Sequence, residues 1–182
     1  MAQTREQIAA AATQAIQKAG VHSVSFRTLA EAIGVKSSSV HYHFPTKQDL
    51  TLSLVQQYSN EFAGKLEALE RTDADLEQRM QQFIDIFENV LARDDLCLCG
   101  MLAAELTELD DATVAALRAF FRLTEQWLEQ QLASSERSLT IPAPALARVV
   151  LAGLEGAILL DRAEGGTGHL DAYRELARTM VS

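Results

Sequence analysis

The amino-acid sequence predicts an all-α fold of about nine helices, with a small N-terminal domain followed by a larger C-terminal one. Along most of the 182 residues, apolar side chains recur every three or four positions, which is the spacing of one helix face. No segment has the apolar and polar alternation of a convincing strand, and no internal repeat is evident. Because 48% of the residues are hydrophobic and 23% are charged, the chain can bury a sizeable core.

Three helices are predicted within the first fifty residues, over 5–19, 26–33 and 37–44. The second, "FRTLAEAI", and the third, "SSSVHYHF", are short and are joined by the turn "GVK". The boundary signals are a capping-box pair at Thr4 and Gln7, a stop at Gly20, an N-cap at Ser25, a stop at Gly34 and a break at Pro45.

Six further helices are predicted in the rest of the chain. The fourth begins at a capping box between Thr46 and Asp49 and runs to about Leu69. A loop, "SSERSLTIPAP" at 134–144, and a turn, "EGGTG" at 164–168, separate the last three helices. The segments of the fifth to ninth helices are "TDADLEQRMQQFIDIFENVLAR", "DLCLCGMLAAELTEL", "DATVAALRAFFRLTEQWLEQQL", "ALARVVLAGLEGAILLDRA" and "HLDAYRELARTMV".

The second and third helices have the layout of a helix-turn-helix, in which the second helix of the pair enters the major groove of DNA. The apolar residues expected to hold the pair together are Leu29, Ala30, Ile33, Val35, Val40 and Phe44. On the outer face, short hydrogen-bond donors and acceptors suit base edges, and these are Ser37, Ser38, Ser39 and His41. A phenol and an ammonium suit phosphate oxygens, and these belong to Tyr42 and Lys47.

The distribution of charge agrees with this placement. Residues 1–50 hold five basic and three acidic residues, whereas the remainder holds eleven basic and 22 acidic ones, within a formal net charge of -9. A phosphate backbone would be attracted to the first segment and repelled by the second. The overall acidity therefore argues against nucleic-acid binding by the whole surface, but not against binding by the N-terminal fifty residues.

The stretch "SFRTLAEAIGVKSSSVHYHFPTKQDL" resembles the DNA-binding domain of the tetracycline-repressor (TetR/AcrR) family, and the likeness covers about residues 4–50. The matching features are Ser25, Gly34, Val35, Tyr42, His43, Phe44 and Lys47. In related proteins, the positions that match Arg27, Ser37, Ser39, His41, Tyr42 and Lys47 contact DNA. The chain departs from the family at His41, where tyrosine is frequent, and at Ser38, where glycine is frequent. Both departures would alter the base sequence that is recognised.

The resemblance also implies a domain organisation and a mechanism. Residues 1–50 would form the helix-turn-helix domain, and 51–182 a ligand-sensing and dimerisation domain. A homodimer would bind a palindromic operator on double-stranded DNA, with half-sites about one helical turn (~34 to 36 Å) apart or more. An unidentified small-molecule effector would release it. Repression is inferred from the family alone.

The segment "VVLAGLEGAILL" is nearly all apolar and therefore needs cover on every side. The small residues Ala152, Gly153, Gly156 and Ala157 would let helices approach closely, and Tyr173 belongs to the other helix of the predicted interface. A partner subunit is one source of that cover. The alternative is that this segment is the central core helix of the monomer.

Residues of two kinds are candidates for the effector site. Phe83, Phe87, Met101, Phe121 and Trp127 lie at helical spacing on inner faces and could line an apolar pocket, although ordinary core packing is the simpler explanation for any one aromatic residue. A carboxylate within a mainly apolar helix needs a partner, such as a cationic ligand, or must face solvent. Glu105 and Glu155 are such carboxylates.

Cys97 and Cys99, the two cysteines of the chain, open a helix, where a thiolate has a lowered pKa and could sense oxidants; an inert buried role is the alternative. So few cysteines fit a reducing compartment. With no secretion signal and no run of about 18 apolar residues, the sequence predicts a cytoplasmic protein that does not bind a membrane.

No metal, cofactor or catalytic motif is recognisable. His41 and His43 are two apart, a spacing that places them on different faces of a helix, and "EGGTG" lacks the lysine of a phosphate-binding loop. The sequence therefore predicts a DNA-binding regulator rather than an enzyme. A small helical enzyme, or a purely structural helical dimer, is the alternative.

Overall fold

The computed structural model describes residues 2–134 and 141–181, and in these residues it confirms the all-α prediction, with nine α-helices and no strand. Two short 3-10 turns, Val21–Ser23 and Leu106–Glu108, complete the secondary structure. Most of the predicted loop 134–144 lies outside the described residues. The helices are α1 (Ala2–Ala19), α2 (Phe26–Ile33), α3 (Ser37–His43), α4 (Lys47–Glu70), α5 (Leu76–Leu91), α6 (Leu98–Ala103), α7 (Asp111–Ala133), α8 (Ala143–Glu164) and α9 (Gly168–Val181).

Most of the predicted helix boundaries are confirmed. The hydroxyl of Ser25 accepts a hydrogen bond from the backbone N–H of Thr28 at 3.1 Å, and Gly34 ends α2 with a φ of 69°. Thr46 and Asp49 form the capping box that opens α4. The capping box at Thr4 and Gln7 is wrong, because α1 already begins at Ala2.

The chain divides into two compact units. One comprises residues 1–60 and 97–119, and the other comprises 61–96 and 120–182. The boundary predicted between residues 50 and 51 thus differs from the structural division. Sequence reasoning placed that boundary where the resemblance ends, whereas the long helices α4 and α7 each contribute residues to both units.

The N-terminal unit is built on α1, α2 and α3, with α6 packed against α1. Of the apolar residues predicted to hold α2 and α3 together, Leu29, Ala30, Val40 and Phe44 are buried. Ile33 and Val35 are only half-buried. The core of the helix-turn-helix is therefore narrower than the sequence suggested.

The second unit has an aromatic core. The ring of Phe83 stacks on that of Trp127, with centroids 5.3 Å apart, and Phe62 contacts Phe83, Phe87 and Phe120 edge-on at 5.1 to 6.4 Å. All five side chains are buried. Edge-to-face and offset pairs are the preferred arrangements of aromatic rings, so this cluster stabilises the unit beyond the area it buries.

Helix α8 contains the nearly all apolar segment "VVLAGLEGAILL". By length and composition alone it could cross a membrane, with a mean hydropathy of 1.7 over its most apolar stretch. The helix still contains no run of about 18 consecutive apolar residues, because Glu155 interrupts it, and the core helix of a soluble protein can pass the same hydropathy test. Only 39% of that stretch is buried within the chain, so much of its apolar surface lacks cover from the described residues.

Candidate nucleic-acid interface

The predicted recognition helix α3 presents one polar face. Val40 is fully buried, and Phe44, which ends the helix, is 2% exposed, so this side anchors α3. Ser38, His41 and Tyr42 are spaced by three and four residues and are all exposed, which places them together on the opposite face. Ser37 and Ser39 are half-buried. The geometry thus favours Ser38, His41 and Tyr42 over the other two serines as points of first contact.

Ring contacts hold two of these side chains in place. The imidazole of His41 packs edge-on against Phe26 of α2, with centroids 4.5 Å apart. Tyr42 makes a similar contact with His43 at 5.2 Å and remains 71% exposed. A side chain with a fixed direction loses less entropy on binding than a mobile one.

Two of the predicted DNA-binding cations belong to the helices that precede and follow α3. Arg27 is exposed and lies 3.8 Å from Glu31, one turn along α2. Lys47 is half-buried, and its ammonium donates to the carbonyl oxygen of Val21 at 2.7 Å. This ammonium is therefore already engaged within the protein, although it has further donors to offer.

Sequence reasoning missed two further basic candidates, Arg5 and Lys36. Lys36 is the exposed N-cap of α3. The guanidinium of Arg5 lies 4.8 Å from the centre of the Phe44 ring and donates to the hydroxyl of Ser53 at 3.0 Å. Both residues belong to the basic excess of residues 1–50, which was the available signal, but no motif singled them out.

Comparison with known proteins identifies this arrangement. The profile of the bacterial regulatory proteins of the tetR family matches residues 8–54, and that of the LmrA/YxaF-like transcriptional regulator C-terminal domain matches residues 76–176. The chain belongs to the TetR family. It is accordingly a DNA-binding transcriptional regulator, and TetR proteins typically dimerise and respond to ligands.

Solved structures of TetR proteins have the same fold as this chain over nearly its whole length. A TetR regulator from Agrobacterium tumefaciens is 29% identical, with a TM-score of 0.93 over 100% of this chain and 99% of that one. A TetR regulator from Legionella pneumophila is 28% identical, with a TM-score of 0.92 over 98% and 97%. One from Rhodobacter sphaeroides is 25% identical, with a TM-score of 0.89 over 98% and 99%. No curated protein matches the chain.

The residues predicted to bind an effector are distributed between the two units. Phe83, Phe87 and Trp127 are buried in the aromatic core, and Phe121 is half-buried. Met101 and Glu105 belong instead to the N-terminal unit. Glu105 accepts a hydrogen bond from the backbone N–H of Val21 at 2.6 Å, so its carboxylate has a partner without any ligand.

The two cysteines are buried side chains. Cys97 is 1% exposed and Cys99 is not exposed at all. The hydroxyl of Tyr58 lies 3.7 Å from the sulfur of Cys97. Reactive cysteines need solvent access, so this conformation favours the inert interpretation, and redox sensing stays a prediction.

The described residues offer no evident metal centre. Within 2–134 and 141–181, no three His, Cys, Asp or Glu side chains are grouped so that they could hold an ion. The His22 ring lies 3.9 Å from the Glu108 carboxylate as an exposed pair.

The small residues of α8 have two different surroundings. Ala157 of α8 and Tyr173 of α9 are buried within the chain. The Tyr173 hydroxyl donates a hydrogen bond to the Val150 carbonyl oxygen at 2.6 Å. Burial raises the pKa of this phenol. A Cβ added at Gly153 would lie 2.7 Å from the Tyr173 ring, so this glycine admits α9. Ala152 is exposed, and a Cβ at Gly156 would meet nothing.

Large apolar side chains lie exposed on the same two helices. They are Val149, Leu159, Leu160 and Leu176, each about half exposed (48 to 55%).

Proposed function

We propose that this chain acts as a cytoplasmic, homodimeric repressor, which binds a palindromic operator and releases it when a small-molecule effector binds the C-terminal domain. It catalyses no reaction in this scheme. The observation that supports DNA recognition by α3 is the exposed face formed by Ser38, His41 and Tyr42, bordered by basic side chains. Such a face combines groups that read base edges with groups that neutralise phosphates.

The operator is identified by selection from randomised duplex DNA, followed by titration of the selected sequence at about 50 to 200 mM salt. A palindromic sequence, bound far more tightly than random duplex and with steep salt dependence, is the expected result. A small helical enzyme or a structural dimer would enrich no sequence, and that outcome would contradict the proposal.

Two substitutions separate base reading from phosphate binding. His41→Ala should weaken operator binding by about tenfold and leave binding of random duplex unchanged, because a base contact discriminates by ~1 to 3 kcal/mol. Arg27→Ala should weaken both and lower the salt slope by about one. Both Kd values are measured for each variant. Equal losses on both duplexes for His41→Ala would remove this residue from base recognition.

Dimerisation through α8 and α9 is supported by their uncovered apolar surface. Val149, Ala152, Gly156 and Leu160 follow one another at helical spacing along a single face of α8 and are exposed or half-exposed. On α9, Leu176 is 48% exposed. A second copy of the chain would cover these apolar stripes. Burial in such an interface would also explain why α8 has so much apolar surface.

For the effector, we propose a groove between α4 and α7. It measures about 220 Å³, and its apolar lining includes Leu66 and Trp127. The indole N–H of Trp127, a residue that is 6% exposed, finds no acceptor among the described residues. Glu67 and Glu70 add two carboxylates to the lining. The chemistry fits a compact apolar molecule with a protonated amine and a hydrogen-bond acceptor.

Because Trp127 is the only tryptophan, its fluorescence reports on this groove. Adamantane-methylamine should shift the emission at concentrations about five- to tenfold lower than its neutral isostere adamantane-methanol. Glu67→Gln combined with Glu70→Gln should abolish that preference, whereas Glu61→Gln, on the same helix but outside the groove, should keep it. An equal response to both compounds would exclude the carboxylates from recognition.

A further inference from the structure

The backbone N–H of Val21 is bound by a carboxylate from a distant part of the sequence. Glu105, which follows α6, accepts this hydrogen bond through Oε2 at 2.6 Å. Val21 itself is 2% exposed. Hydrogen bonds to a charged group that is partly withdrawn from water are among the stronger ones in proteins. The contact therefore fixes the 3-10 turn Val21–Ser23 against the 97–119 segment of the same unit.

The carbonyl of the same residue is bound by a cation. The ammonium of Lys47, the first residue of α4, donates to the Val21 oxygen at 2.7 Å. Both backbone polar groups of Val21 are therefore bound by charged side chains. The Glu105 carboxylate binds its N–H, and the Lys47 ammonium binds its carbonyl oxygen. Three segments distant in sequence meet at this residue: the turn that leads into α2, the start of α4 and the segment that follows α6.

Gly20 is what permits the carboxylate to approach so closely. Its φ is 78°, in the left-handed region, and a Cβ at this position would lie 2.5 Å from Glu105 Oε1 and 2.9 Å from Oε2. A Cβ here would displace the Glu105 carboxylate from its present position, and the positive φ would strain any L residue as well.

We propose that Glu105 is a positioning residue for operator binding. By holding the turn Val21–Ser23, it sets the start of α2, which carries Arg27, and the direction of the Lys47 ammonium. Arg27 and Lys47 belong to the helices that precede and follow α3, and both are proposed to bind phosphates of the operator that α3 reads. This inference rests on the proposed function, because it concerns how accurately two phosphate-binding side chains meet the duplex.

The test compares Glu105→Ala with Glu105→Gln on the selected operator and on random duplex, with the melting temperature recorded for each. Glu105→Ala leaves the Val21 N–H without its acceptor and should weaken operator binding by about tenfold, while binding of random duplex stays the same or tightens because a negative charge is lost. Glu105→Gln keeps an acceptor oxygen and should remain within about threefold of the parent. Asp111→Asn removes an exposed carboxylate from the first residue of α7 and should change neither value.

A double-mutant cycle tests the geometry independently. Gly20→Ala should weaken operator binding in both backgrounds, because an L side chain is strained at a φ of 78°, but the loss should be smaller in the Glu105→Ala background, where the carboxylate that would clash is gone. Additive effects would show that the two residues are not coupled and would overturn the inference, as would unchanged operator discrimination in Glu105→Ala. If the unsubstituted protein enriches no operator, the proposed function itself fails. If it does enrich one but the Glu105 variants behave otherwise than expected, only the inference about Glu105 fails.

Discussion

Leu160→Glu in α8 should give a folded monomer that binds the operator about 100- to 10,000-fold more weakly than the parent. Leu160 is 48% exposed and continues the apolar face of Val149 and Gly156. In a symmetric dimer the substitution occurs twice, so two carboxylates would be buried without partners. The loss on DNA is large because two linked recognition helices bind their half-sites with an avidity that one helix lacks.

The oligomeric state is measured by light scattering after size exclusion, and the fold by circular dichroism. Leu176→Glu on α9 should have the same effect, since it changes the second apolar stripe. Leu106→Glu is the matched control: this leucine is 46% exposed but lies outside α8 and α9, so the variant should remain dimeric. A dimeric Leu160→Glu protein would place the subunit interface elsewhere.

The sequence predicted the helices well because their ends are determined locally. Ser25, Gly34, Thr46 and Asp49 act on residues three or four positions away, so their hydrogen bonds can be inferred from spacing alone. The exception, Thr4 with Gln7, has the same pattern, but the helix continues past it to Ala2. A capping signal permits a helix start and does not enforce one.

Some surroundings that the sequence did not reveal depend on contacts between distant segments. Gly153 was predicted at a subunit interface for its small size, and within the chain it also admits the ring of Tyr173. Glu105 was predicted either to have a partner, such as a cationic ligand, or to face solvent, and it has a partner in the backbone N–H of Val21, 84 residues away. The chemical requirement was predicted correctly, but no spacing rule could identify the group that meets it.

Asp161→Ala should destabilise the protein by about 3 kcal/mol, because it leaves buried backbone donors unsatisfied. Asp161 is 1% exposed and lies near the end of α8. Its Oδ1 accepts from the N–H of His169 and its Oδ2 from that of Leu170, each at 2.8 Å, so it binds the first turn of α9. The measurement is chemical denaturation at neutral pH. Asp171→Ala, which removes an exposed carboxylate from the same turn, should cost far less.

The pH dependence of this difference tests its electrostatic origin. Burial acts to raise the pKa of Asp161, but the two backbone N–H groups and the His169 ring outweigh it and hold the pKa below its ordinary value of 3.8. A carboxyl whose pKa is lowered by folding contributes its stability above the unfolded pKa and loses it as the pH falls through the folded one. The difference between the parent and Asp161→Ala should thus be full at neutral pH and shrink below about pH 4. A difference that stays constant to lower pH would mean that Asp161 acts through packing rather than through its charge.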